Sequence, residues 1–221
     1  MKKKLQIDWI HHGIELIVVF ISISLAFIVN QCRDDYQSAR LEGKYLQSFR
    51  EDVGGDLTTL DSMIVQNERH LENLQTLIRM IKARDFSDKT LFENAIALIG
   101  ISRFFPNQRT YQSIIGSGNF GVISDYRLKQ QISKYYQELG SRELIEGVYQ
   151  LHLNEYVLPF FYRNVDLLEG KIIKLEALKT PAFRNLVAGS FTLLDQNTRY
   201  YRKLRELAGE LNAHLDQTVT K

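Results

Sequence analysis

The hydrophobic pattern of the chain changes once, near residue 30. From Leu16 to Val29 the sequence is apolar apart from Ser22 and Ser24, whereas beyond Cys32 apolar residues are spaced rather than continuous. The first stretch reads as one transmembrane helix. A hydrocarbon layer of about 30 Å needs about 20 helical residues at about 1.5 Å each, so a full span reaches back to about Ile10 and encloses Glu15. Beyond the span, Leu46, Phe49, Val53, Leu57, Leu60, Ile64, Leu71, Leu74, Ile78 and Ile81 recur at helical spacing, with Asn67 filling the one gap. That seam predicts a helix from about Asp34 to Arg84, continuous with the span and weakened at Gly54 and Gly55.

The rest of the pattern is helical too. Ser87 or Asp88 is expected to cap a second helix through Leu91, Phe92 and Ile99 that ends near Phe105 and Pro106. A third runs from about Gln108 to Ile115 and stops at Gly116. Ser124 is read as the cap of a long helix carrying Leu128, Ile132, Tyr135, Leu139, Ile145, Val148, Leu151 and Tyr156, ended or kinked by Pro159. Another helical stretch covers Val165 to Leu178, and Thr180 with Pro181 starts a last helix through Phe183 to Leu215. No strand pattern persists. The expected fold is all-α: an N-terminal transmembrane helix followed by an elongated antiparallel helical bundle. Its parts are a cytoplasmic flank at 1–12, the span at 13–31 and an extracytoplasmic domain at 32–221.

The flanks of the span decide its type and orientation. A signal peptide needs small residues at a cleavage site, and Asn30, Gln31, Cys32, Arg33, Asp34 and Asp35 provide none. Lipid attachment at Cys32 would want a small residue in place of Gln31. The segment is therefore read as an uncleaved anchor. Lys2, Lys3 and Lys4 outweigh Arg33 and Arg40, which puts the N-terminus in the cytoplasm and the domain in the periplasm of a cell with an inner membrane.

Glu15, Val19, Ser22, Ala26 and Asn30 share one face of the span. Small and polar residues confined to one stripe suit close helix contact in lipid, so the stripe is a candidate face for an oligomer or a membrane-protein partner. The competing reading is a monomeric anchor whose Glu15 reaches the cytoplasmic interface, with His11 and His12 about one turn away as partners.

With 28 Lys and Arg against 26 Asp and Glu, the chain carries no charge excess that would mark a nucleic-acid surface. Its single cysteine, Cys32, allows no internal disulfide but could link two chains beside the membrane. Five scattered histidines form no H-E-x-x-H pair and no repeated Glu-x-x-His units, so neither a metal nor another cofactor is expected. His152 with Glu155, and Glu210 with His214, each share a helix turn and are read as ordinary contacts. Gly116 to Gly121 spells G-x-G-x-x-G, but a helical pattern precedes it where a dinucleotide loop needs a strand; a helix end and a turn are expected instead. In the pairs Tyr135–Tyr136 and Tyr200–Tyr201, neighbours about 100° apart should not both enter one core, which makes one of each a candidate contact residue. No nucleophile with a base is recognisable, and no enzymatic activity is expected.

Several residues together carry a resemblance. They are Glu15 to Val19 entering the span and Asn30 leaving it, Tyr45 and Leu46 ahead of Asp52 and Asp56, and Ser117, Gly118, Asn119, Val122, Ile123, Leu128, Tyr135 and Tyr136 within the stretch from Tyr111. In these the first 136 residues resemble an uncharacterised bacterial family of single-pass membrane proteins classed as a domain of unknown function. Gln31 and Cys32 depart from the tryptophan expected after the asparagine. The resemblance implies an anchor, a helical domain and no assigned activity. The function expected is a membrane-anchored interaction or scaffold protein that oligomerises or docks through its span and first soluble helix. The alternative is a sensor or ion-coupled subunit with Glu15 as a protonatable group.

Overall fold

A computed structural model describes residues 9–87, 90–100 and 103–219, with side chains from Glu15 onward. Lys2, Lys3 and Lys4, the side chains of His11 and His12, and the proposed cap at Asp88 lie outside the described residues. The protein is all-α. Its first helix, α1, runs unbroken for 75 residues from Trp9 to Ala83, a length of about 110 Å. It joins the apolar stretch to the seam without a hinge.

Four arms pack alternately up and down. Helix α1 rises, and the second arm descends beside it as α2 (Leu91–Ile96), a 3-10 turn (Ala97–Ile99), the non-helical residues 103–108 and α3 (Arg109–Gly116). After a 3-10 turn over Asn119–Val122, the third arm rises as α4 (Tyr126–Gly140), α5 (Arg142–His152), a π turn (Leu153–Val157) and α6 (Leu158–Asn164). The two-residue strands β1 (Val165–Asp166) and β2 (Lys171–Ile172) then pair antiparallel, and α7 (Leu175–Leu178) precedes the long descent of α8 (Pro181–Val219). Ion pairs Arg50–Asp216, Asp61–Arg205 and Glu68–Arg202 mark the antiparallel register of α1 against α8. Each is half-exposed and contributes about 0–1 kcal/mol, so they report the register more than they hold it.

The predicted seam is the bundle's core. Leu46, Phe49, Val53, Leu60, Leu71 and Leu74 are buried, and so is Asn67 at the gap. Toward the end of α1 the buried positions are Leu77 and Met80 rather than Ile78 and Ile81. The apolar face of this helix is thus covered by the chain itself. From Glu15 to Arg40, by contrast, every side chain but the half-exposed Ser24 is exposed.

Several boundaries differ from those the pattern predicts: the helix expected from Ser124 through Tyr156 is interrupted at Ser141 between α4 and α5, and Thr90 rather than Ser87 precedes α2. The second arm leaves its helix at Gly100 rather than near Phe105, because Gly100 lies against the His70 ring and Tyr149 Oη donates to its carbonyl. Asp125 rather than Ser124 caps α4, accepting from Leu128 N at 3.0 Å, while Ser124 donates through both N and Oγ to Glu42. Pro159 does not end its arm: it sits at the start of α6, where a missing N–H costs least, just after the π turn. Residues 165–178 fold as the hairpin and one helical turn instead of a helix. Asp166 accepts from Leu168 N and Glu169 N, and Gly170 takes a positive φ, so a turn outcompetes the helix there.

Candidate functional site

Two buried carboxylates organise the descending arm. Asp56, 1% exposed on α1, accepts from Asn107 N at 2.8 Å and Tyr135 Oη at 2.7 Å. Asp52, one turn earlier, accepts from Thr110 N at the start of α3. Burial pushes the Asp56 carboxyl above the usual carboxylate range, against the opposing pull of its hydrogen bonds from Asn107 and Tyr135. Glu146 on α5 accepts from Phe104 N at 3.1 Å and Tyr201 Oη at 2.7 Å, and its other oxygen faces Arg103 and Arg142 at 3.7 and 3.8 Å. Arg142 in turn donates to the Phe104 carbonyl. These carboxylates satisfy the backbone of a segment that has no helix or sheet to do so. Their role is to hold the fold.

The residues that carry the family resemblance meet in this same region. Tyr111 stacks on Tyr136 with ring centroids 4.2 Å apart, and Tyr45 Oη shares hydrogen bonds with Ser117 Oγ and Asn119 Nδ2. Tyr135, Tyr136, Tyr200 and Tyr201 correct the expectation that one of each pair faces a partner, since all four are buried. Helices α4 and α8 are each covered on two sides, so adjacent rings about 100° apart both find cover. Each hydroxyl still has an acceptor: Asp56, the Asn107 carbonyl, the Glu138 carbonyl and Glu146 respectively.

A surface cleft offers a better place for a ligand. It lies at the end of the bundle far from the apolar stretch, between the π turn with α6 and the start of α8, and encloses about 500 Å³. His152, Glu155, Tyr156, Phe160, Arg163 and Asn185 are among its walls. His152 Nε2 lies 2.9 Å from the buried Ser190 Oγ, and burial lowers the imidazole's pKa. Aromatic surface with a few converging polar groups lines the cleft, a composition also common in small-molecule sites. Sequence spacing brings His152 and Glu155 together; Arg163 and Asn185 arrive only through the fold. Along α5 and the π turn the buried face is not the expected one: Val148, Leu151 and Tyr156 are exposed, and the signal for the true face lies in a different spacing. Tyr149, Leu153, Val157 and Phe161, all buried, repeat every four residues, which in a regular α-helix would drift by about 40° a step. The π turn absorbs that drift.

The other predicted site residues stay apart from this cleft. Glu15, Val19, Ser22, Ala26 and Asn30 lie along one face of an exposed helix, and Cys32 is exposed beside them. His214 turns to Gln131 on α4 and to its cap Asp125, at 2.6 and 3.1 Å. The glycine loop follows α3 and begins a 3-10 turn, with Gly118 left-handed at φ 72° as a helix end requires. Among the described residues no cluster of three metal-ligating side chains occurs.

A family model described as a family of unknown function (DUF6090) matches residues 15–195, extending past the first 136 residues through the π turn and into α8. No curated protein and no solved structure matches the chain.

Proposed function

The chain belongs to the DUF6090 family, and from its single unbroken helix we propose a membrane-anchored interaction protein that docks through its span. The observation that carries this reading is the division of α1 into an exposed apolar part and a buried core part. Eleven large apolar residues between Leu16 and Val29 are more than half exposed. Covering them is worth on the order of 20 kcal/mol, and the bundle covers none. A bilayer is the natural cover, with the N-terminus cytoplasmic and the bundle periplasmic by the lysine bias.

The nine residues from Cys32 to Arg40 then form a helical stalk of about 13 Å, exposed and mostly polar. The seam of the first soluble helix is spent on the protein's own core, so docking falls to the span's Glu15, Val19, Ser22, Ala26 and Asn30 face. Tilt or rotation of the span would pass to the bundle as a rigid body. A second reading, a ligand-responsive subunit of a membrane complex, is favoured by the cleft against the π turn, with Glu15 as its intramembrane protonatable group.

The test is the mass of the full chain in nanodiscs, under reducing conditions, beside that of residues 33–221. We expect an oligomer that becomes monomeric without the span, and a weaker oligomer in Glu15→Gln with the bundle still folded. Monomers in both preparations would overturn self-association.

A further inference from the structure

A second cleft, of about 390 Å³, opens at the same far end between the end of α1, α7 and the start of α8. Its walls are Ile81, Phe86 and Leu178 together with three cations, Arg84, Lys179 and Arg184. Among the described residues no carboxylate lines it. Lys179 reaches Glu176 at the rim, and Asp85 is occupied by Ser87, whose N and Oγ both donate to it. The guanidinium groups of Arg84 and Arg184 make no ion pair among the described residues.

Both arginines sit where folding alone would choose another residue. Arg84 ends α1 in the left-handed region, at φ 55°. Its N donates to the Ile81 carbonyl and Asp85 N to the Met80 carbonyl, the helix ending in which glycine is the default because a side chain costs free energy at that φ. The negative end of the helix dipole accounts for a cation at 84, but not for a side chain at positive φ. Arg184 lies in the first turn of α8, where the dipole disfavours positive charge. Two unfavourable placements that converge on one cleft point to a ligand that compensates them.

We propose that this cleft binds a phosphomonoester carrying a short apolar chain. Guanidinium forks match phosphate oxygens two at a time, and with Lys179 already paired to Glu176 a dianion balances the two guanidinium groups of Arg84 and Arg184 better than a single carboxylate does. The apolar chain would lie on Ile81, Phe86 and Leu178, which are half-buried or buried.

The experiment titrates full-length protein in nanodiscs with inorganic phosphate, hexyl phosphate and hexanoate, and measures pelleting with phosphatidic-acid vesicles. Hexyl phosphate should bind saturably and more tightly than either small probe. Its affinity should fall at least about tenfold in Arg84→Gly and in Arg184→Gln. Because glycine suits the left-handed position, Arg84→Gly should melt no lower than the wild type without ligand, which separates lost binding from lost folding. Vesicle pelleting that depends on both arginines would identify a lipid as the source of the phosphate, and its absence a free one. Equal binding by wild type and variants, or no saturable binding of hexyl phosphate, would overturn the proposal.

Discussion

Removing the Glu146 carboxylate strands several partners at once. The Phe104 amide and the Tyr201 hydroxyl lose their acceptor, and Arg142, with 12% of its side chain exposed, keeps a charge with no buried counter-ion. Glu146→Ala should therefore cost about 3–5 kcal/mol, the range for breaking one side of a buried ion pair, as read by chemical denaturation. A loss below about 1 kcal/mol would mean that water replaces the carboxylate. Nothing in the sequence marks Glu146 out, because a glutamate on an amphipathic helix is normally solvated. Asp52 and Asp56 were legible only as part of a resemblance, and the structure supplies their physical role as acceptors for a segment without regular structure.

Among the elements, α1 draws its continuity from packing rather than from propensity. Gly54 and Gly55 weaken it by about 1 kcal/mol each relative to alanine, yet the helix does not break. The two glycines differ in surroundings. A Cβ at Gly54 meets only Asn212 Oδ1 at 3.9 Å, whereas at Gly55 it comes within 3.2 Å of Asn107 Nδ2, which donates to Asp52 O and Asp56. Gly54→Ala should raise stability by about 0.5–1 kcal/mol, and Gly55→Ala should forfeit that gain; melting temperatures of the two variants check the contrast. The seam, α3 and the capped start of α8 were readable because periodicity and turn chemistry agree there. The hairpin at 165–172 was misread, since its apolar residues suit a helix and the Asp166 turn outweighs them.

For the whole molecule, His70 and His152 give stability a pH dependence. Burial lowers both imidazoles below their ordinary value near 6.5, with Arg69 adding to the effect at His70. A lowered native pKa means that the unfolded chain binds protons more readily, so stability is full above about pH 6.5 and falls as pH drops toward the native values. Asp56 works in the opposite sense, losing stability as pH rises from its unfolded value through its raised native one. Between pH 7 and 5 the unfolding free energy should decline, by at most about 1.4 kcal/mol per pH unit for each histidine, and His152→Gln should flatten the slope; an unchanged slope would remove His152 from this account. By itself the sequence determined the all-α class, the apolar stretch, its continuity with the first soluble helix and the seam that becomes core, because each depends on spacing along one helix. Only the tertiary structure decided that all four paired tyrosines are buried, that three carboxylates hold the descending arm, and that Arg84 and Arg184 share a cleft. Those outcomes depend on which side chains distant in sequence are brought within hydrogen-bonding or packing distance, and no periodicity encodes that.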